Sequence, residues 1–102
     1  MKSFPQSIRE LSCLPFSDSI NALALAANTA ETLSIPAGAR FAVFSGTVDF
    51  YVKTGGTATV PGDTTDGSAA ELNPTMRDIT GASLISIISA ATCIVTVAFY
   101  GL

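Results

Sequence analysis

The most regular feature of the chain is an alternation of apolar and polar positions in residues 40–53. Beyond a break at Ser45-Gly46, the apolar residues Val48, Phe50 and Val52 alternate with polar ones. Because successive side chains of a β-strand point to opposite faces, this pattern is typical of a strand with one buried and one solvated face. The pattern predicts two strands that are joined tightly at the break. They cover residues 41–44 and 47–53.

Similar patterns predict five further strands. They cover residues 20–26, 31–35, 57–60, 83–88 and 92–100. The first of these segments is rich in alanine, so a helix is the alternative there. The strand over 83–88 carries isoleucine or leucine on both faces, which indicates burial on both sides. Residues 62–78 contain turn formers without periodicity and are predicted to form one long loop.

About seven or eight short strands separated by turns predict an all-β fold. We expect an antiparallel, jelly-roll-like β-sandwich, with a small barrel as the alternative. No segment between the strands is long and amphipathic enough to be the crossover helix that a parallel sheet needs. The uncharged segment 79–102 contains several Ser and Thr residues and many β-branched ones. It is therefore predicted to form two strands around Ser89 rather than a membrane helix.

Residues 1–19 show no alternation and are predicted to form an N-terminal arm, followed by one sandwich domain over residues 20–102. The chain starts without the apolar run of a signal peptide, so we expect none. The arm carries five apolar residues that are expected to contact protein, on their own domain or on a neighbouring copy. They are Phe4, Ile8, Leu11, Leu14 and Phe16.

The composition favours contact with other proteins over contact with nucleic acid or membrane. Hydrophobic residues make up 48% of the chain and charged residues 13%, whereas roughly 25% is usual for charged residues. A surface built mainly from Ser, Thr, Gly and Ala is weakly hydrated, which favours self-association. The net charge is −3 and the five Lys and Arg residues are dispersed. Binding to phosphate backbones or to anionic lipid needs a basic cluster, so neither partner is expected.

The residues that could support chemistry are few. The chain has no His, so a Ser, Thr or Cys nucleophile would need a Lys or a carboxylate as its base. We expect no enzyme activity, no catalytic residues and no cofactor. Asp63, Asp66 and Glu71 could supply oxygen ligands to calcium, but their spacing does not match the calcium-loop pattern. A solvated turn is the alternative, and no metal site is predicted.

Two pairs of residues leave alternatives open. Cys13 and Cys93 are expected to be small buried hydrophobic residues, although a disulfide between them remains an alternative. Tyr51 and Tyr100 lie on predicted polar faces, where a tyrosine suits contact with a sugar or a protein. For each tyrosine the alternative is a half-buried strand residue that packs against a cross-strand neighbour.

Three segments resemble small bacteriophage virion proteins of β-sandwich type. They are ETLSIPAGARFAVFSGTVDFYV at 31–52, VPGDTTDGSAAELNP at 60–74 and IVTVAFY at 94–100. In such proteins a strand that ends at Pro-Ala-Gly leads into a hairpin, then a long polar loop and an apolar closing hairpin. The resemblance covers about residues 31–102 and leaves the arm aside. It brings no catalytic or metal-binding residues.

The resemblance implies a many-copy structural protein of a phage particle, such as a capsid decoration or cement protein. A component of the tail or of the head–tail junction is the nearby variant. The expected partners are further copies of the chain and the major capsid protein or another virion protein, and the expected location is the virion. A carbohydrate-binding β-sandwich module that uses Tyr51, Tyr100 and the 62–78 loop is the alternative function.

Overall fold

The computed structural model describes residues 1–3 and 14–101, and this part of the chain contains eight strands and no helix. Among these residues there is accordingly no helix that could cross a membrane. The strands are β1 (Ile20–Leu25), β2 (Glu31–Ser34), β3 (Phe41–Gly46), β4 (Tyr51–Lys53), β5 (Glu71–Leu72), β6 (Met76–Asp78), β7 (Leu84–Ile88) and β8 (Cys93–Tyr100). The all-β prediction is confirmed, and the alanine-rich segment forms strand β1 rather than a helix.

The strands form two four-stranded sheets in which all neighbours are antiparallel. Sheet 1 has the order β1-β8-β3-β6 and sheet 2 has the order β2-β7-β4-β5. The pairing is nested, because β1 pairs with β8, β2 with β7, β3 with β6 and β4 with β5. Consecutive strands therefore alternate between sheets in the first half of the chain, and the arrangement is compatible with the predicted β-sandwich.

Both sheets contribute alternate side chains to one apolar core, which explains why the alternation was informative. Sheet 1 buries Leu23, Leu25, Ala42, Phe44, Cys93, Val95, Val97 and Phe99. Sheet 2 buries Val52, Ile85 and Ile87 in the same cluster, which Phe50 and Ile79 complete. The Cys93 thiol is buried there and contacts the Val48 carbonyl oxygen at 3.6 Å. Its predicted role as a small hydrophobic residue agrees with this position.

The break predicted at Ser45-Gly46 is wrong, because β3 continues through Gly46. Ser45 and Gly46 pair with Thr96 and Val95 of β8, and the connection to sheet 2 follows them. Gly46 permits a close approach of the buried Phe50 ring, since a Cβ atom at residue 46 would lie 2.5 Å from it. The glycine thus marks close packing rather than a turn, and β4 is shorter than predicted.

The prediction of a strand over 57–60 is also wrong, because this segment packs as an irregular loop against the outer side of sheet 2. Ala58 and Ala70 pack against Ile88 in a second apolar cluster. The Ala58 backbone N–H donates to the buried Ser86 hydroxyl at 2.8 Å instead of joining a sheet. This packing explains why Ile88 is buried, as predicted for β7, while Leu84 at the other end of that strand is exposed.

The long loop predicted over 62–78 contains two short edge strands, β5 in sheet 2 and β6 in sheet 1. Residues 73–75 connect these two strands, and the first of them, Asn73, has a positive φ of 45°. Its backbone N–H donates to the Phe50 carbonyl oxygen at 2.9 Å, and its side-chain oxygen accepts from the Phe50 N–H at 3.0 Å. Since every residue of β5 and β6 is exposed, no apolar periodicity signals these strands.

The described parts of the predicted arm are attached to the end of β8. Ser3 forms a parallel bridge with Gly101, whose N–H donates to the Lys2 carbonyl oxygen at 2.8 Å. The buried Ser17 hydroxyl donates to the Phe99 carbonyl oxygen at 2.6 Å and accepts from the Ser19 N–H at 3.0 Å. These contacts are with the arm's own domain. Phe4, Ile8, Leu11 and Cys13 lie outside the described residues.

Candidate functional site

The outer side of sheet 1 carries one charged side chain among its strand residues, that of Asp78, and we call it the apolar face. Its members are the side chains that alternate with the core residues on the four strands of this sheet. They are Ile20, Ala22 and Ala24 of β1, Ile94, Thr96, Ala98 and Tyr100 of β8, Phe41, Val43 and Ser45 of β3, and Met76 and Asp78 of β6.

An unbroken apolar row crosses the middle of this face. The registers place Ile20 opposite Ala98, Ala98 opposite Val43, and Val43 opposite Met76. The row spans four strands, or roughly 14 Å at ~4.8 Å per strand. Ile20 is 53% exposed and Met76 is 41% exposed, while the two central residues are half-buried. The row is therefore open to solvent at both ends.

A second row at the far end of the face includes a further exposed isoleucine. Ile94 is 51% exposed and lies opposite Ala24. Asp78 is the one charged member of the face and lies at its β6 corner. Hydrogen bonds from the side chain and backbone of Thr80 lower the pKa of Asp78. Water binds poorly to such a surface, and contiguous exposed apolar patches commonly mark protein contacts.

Phe16 extends the apolar surface at the Tyr100 end of the face. Its side chain is 92% exposed, although both neighbouring residues are held in place. The Pro15 carbonyl oxygen accepts from the Tyr100 hydroxyl at 2.7 Å, and the Ser17 hydroxyl donates to Phe99. These two attachments restrain the backbone on either side of Phe16, so a partner that contacts the exposed ring would need to order little of this segment.

The other predicted contact residues within the described part of the chain, Leu14, Tyr51 and Tyr100, are less accessible than Phe16. Leu14 is half-buried, and Tyr100 is 5% exposed beneath the Pro15 segment. Tyr51 is half-buried and packs in the second apolar cluster, with Leu72 and Ile88 as cross-strand neighbours. The structure therefore places the two tyrosines apart, on different sheets.

The sequence reasoning did not identify the apolar face itself. Its residues occupy strand positions that alternate with the core residues or lie in the predicted 62–78 loop, and several of them are alanines that carry little information. The available signal was the lack of charge at these alternate positions in β1, β3 and β8. On an ordinary solvated sheet face, lysine, glutamate and other charged residues occupy such positions.

A cleft of about 330 Å³ lies between the edges formed by β5 and β6. Its floor includes Phe44, Val52 and Ile79. Glu71 of sheet 2 and Arg77 of sheet 1 form a two-pronged ion pair across it. The hydrogen bonds and charge of Arg77 lower the pKa of Glu71, against a smaller opposing effect of burial. The pair thus joins the two sheets at this edge.

This ion pair predicts a pH dependence of stability. Because the pKa of Glu71 is lower in the folded state, its contribution is fully present above the ordinary value of 4.5 and is lost as the pH falls through the folded pKa. Melting temperatures of Arg77→Ala and Glu71→Gln should lie below that of the wild type at pH 6 and approach it at pH 3. The same gap at both pH values would show that the charge pair is not responsible.

The acidic residues considered for calcium do not converge. Asp66 accepts from the Ser68 N–H at 3.0 Å and from its hydroxyl at 2.6 Å, and these bonds lower the pKa of Asp66. Glu71 is engaged by Arg77. Within the described residues, no three acidic, His or Cys side chains are grouped closely enough to hold a metal ion. The Asp66 contacts are those of the solvated turn that was the alternative interpretation.

Comparison with protein-family models, with curated proteins and with solved structures finds no match for this chain. The features of the molecule that bear on its function are therefore the apolar face, the exposed Phe16 and the sheet edges.

Proposed function

We propose that this chain is a non-enzymatic structural protein of a bacteriophage particle, which associates with itself and docks on the capsid as a decoration protein. The observation that carries the proposal is the apolar face, with its unbroken row from Ile20 to Met76. Apart from Asp78, this surface presents alkyl, aromatic and hydroxyl side chains, where an ordinary solvated sheet face carries charged ones. Its natural use is burial against another protein.

Within this proposal, the sandwich is a jelly roll. A jelly roll is obtained by wrapping a long antiparallel hairpin into two packed sheets, so that the first strand pairs with the last and the pairing continues inward. The nested pairs β1–β8, β2–β7, β3–β6 and β4–β5 support this topology. The additional pairs β8–β3 and β7–β4 are those that wrapping brings together.

The size of the apolar face suits a protein that is present in many copies. The four strands of sheet 1, with 6, 8, 6 and 3 residues, cover roughly 400 Å². This is about half of what one partner buries in a standard protein complex. One such contact is weak, but contacts repeated by the symmetry of a shell combine through avidity. The exposed Phe16 adds an aromatic anchor of the type that often dominates interface energies.

The proposal is tested on particles of a bacteriophage whose genome encodes the chain. After density-gradient purification, the particles should contain the protein in many copies, and cryo-electron microscopy should place it on the outer surface of the capsid. Density at the tail or the head–tail junction would favour the nearby variant. Absence of the protein from purified particles would refute the virion assignment.

A matched pair of variants connects the docking to the apolar face. Ile94→Lys places a charge on this face, whereas Leu84→Lys places one on the outer side of sheet 2, and the two side chains are similarly exposed at 51% and 48%. Only Ile94→Lys should reduce cosedimentation with particles that lack the protein. An equal reduction by both variants would contradict the assignment of the contact surface. Specific binding on a glycan array would favour the carbohydrate-binding alternative.

A further inference from the structure

We propose that strand β1 is a self-association edge, and that it pairs antiparallel with β1 of a second copy about a two-fold axis at Ala22. This inference specifies the self-association that the proposed function includes. It does not depend on whether the resulting assembly binds a capsid.

The first supporting observation is that β1 has one neighbour among the described strands. β8 pairs along its whole length, and no described strand occupies the other side. The N–H of Phe99 donates to the Ser19 carbonyl oxygen, which sets the phase of the ladder. Since the bonding direction alternates along an antiparallel pair, the backbone N–H and C=O groups of three residues point away from β8. They are Ile20, Ala22 and Ala24.

The second observation is that β1 lacks the usual protection of an edge strand. Its six residues, INALAL, include no charge and no proline. The other described edge strands are shorter and carry charged residues: Glu31 in β2, Glu71 in β5, and Arg77 and Asp78 in β6. Natural proteins use short strands and charges to prevent pairing at sheet edges. Among the described edges, β1 is the one that permits it.

The third observation is that the edge is complementary to itself. In an antiparallel pair centred on Ala22, Ile20 lies opposite Ala24 of the second copy, and Ala22 lies opposite its own equivalent. All three outward-pointing residues then exchange bonds in the same register, giving about six hydrogen bonds between the chains. The central side chains are methyl groups and cannot clash, and no charge opposes another. A second copy therefore satisfies the edge fully, as a two-fold interface requires.

The pairing would also double the apolar face. It joins the two copies of sheet 1 edge to edge. The row that ends at Ile20 in one copy then meets the row that ends at Ala24 in the other. A dimer would then present one continuous surface of roughly twice the area, or ~800 Å², which is the standard contribution of one partner to a complex. The self-association edge thereby compensates for the small area of a single face.

Cysteine cross-linking tests the register directly. With Cys13 replaced by serine in every variant, Ala22→Cys places two thiols across the axis at a Cα separation of about 5.5 Å, which suits a disulfide. In the control Ala24→Cys, the equivalent atoms are four residues apart along the strands, or roughly 13 Å, which is beyond the reach of a disulfide. Mild oxidation should therefore cross-link Ala22→Cys at least about tenfold faster than the control. Equal rates, or no cross-linked dimer, would overturn the proposal.

Backbone and face variants separate the edge from the apolar face. Proline is tolerated where the N–H of an edge strand faces solvent, so Ala22→Pro should fold but weaken dimerisation about tenfold or more. Ser45 of β3 lies in the same row of the apolar face as Ala22, with Thr96 of β8 between them. Ser45→Lys therefore changes the face away from the β1 edge and should leave the dimer intact. Light scattering at several concentrations measures both. Loss of the dimer in Ser45→Lys alone would assign self-association to the face instead of the edge.

These results are distinguishable from a failure of the proposed function. If Ala22→Cys cross-links but the protein is absent from phage particles, the edge is correct and the virion assignment is wrong. If the protein is on particles but Ala22→Cys does not cross-link in solution or on the particle, the edge is wrong and the docking function remains.

Discussion

Replacement of Phe99 by alanine is expected to destabilise the protein by about 3–5 kcal/mol, which is typical of Phe→Ala in a closed core. Phe99 is fully buried in β8, which lies between β1 and β3 in sheet 1. Its ring is part of the cluster that both sheets share, so truncation removes contacts on both sides of the core. Since small domains have a net stability of only ~5–15 kcal/mol, this variant should be close to unfolding at 37 °C.

Urea unfolding followed by far-ultraviolet circular dichroism measures this effect, with Ile94→Ala as the control. Ile94 lies on the same strand but on the apolar face, where its side chain is 51% exposed. Its truncation leaves no cavity and should cost less than about 1 kcal/mol. If the two variants were equally stable, the division of β8 into a core side and an exposed side would be wrong.

The contrast between these two residues also shows how far the sequence predicts the fold. Strong alternation in β8 predicts a strand and identifies Cys93, Val95, Val97 and Phe99 as its core side, and the structure confirms both. The alternation was equally informative for β2, because burial imposes a period of two wherever one sheet face meets a core. It did not predict β5 and β6, because exposed edge strands are free of that constraint.

The errors in the remaining segments have a common physical cause. The 57–60 segment has the composition of a strand, but its Ala58 N–H bonds to the side chain of Ser86. Ser45-Gly46 has the composition of a turn, but Gly46 is required by the approach of the Phe50 ring. Ser86 lies 28 residues beyond Ala58, whereas Phe50 lies only four residues beyond Gly46. In both cases a specific contact in the folded chain overrides the local propensity that composition indicates.

The proposed contact surfaces were predictable only as a property of the whole chain. The low charge content led to the prediction of a protein that contacts other proteins, but it did not locate a contact. The location required the strand registers, because the apolar row from Ile20 to Met76 combines residues from four separate segments. The attachment of Phe16 likewise required the hydrogen bonds of its two neighbours.

The attachment of the 14–19 segment gives the second large expected effect. Ser17→Ala should lower the free energy of unfolding by about 1–3 kcal/mol. The buried hydroxyl stands between the Ser19 N–H and the Phe99 carbonyl oxygen, where a direct backbone hydrogen bond would otherwise continue the pairing of β1 with β8. It accepts from the Ser19 N–H and donates to the Phe99 carbonyl oxygen, and alanine would leave both groups unpaired at the start of β1. Ser17→Thr retains the hydroxyl and should recover most of the stability. Urea unfolding of the three proteins provides the measurement.

A double-mutant cycle with Tyr100→Phe tests whether the segment acts as one unit. The Tyr100 hydroxyl holds the Pro15 carbonyl oxygen at 2.7 Å, and its removal should cost about 1 kcal/mol. Because Pro15 and Ser17 lie on either side of Phe16, the loss of one attachment should weaken the other. The double variant should therefore lose less than the sum of the two single losses, as is usual for coupled neighbours. Additive losses would mean that each attachment forms independently of the other, and that the 14–19 segment does not act as one unit.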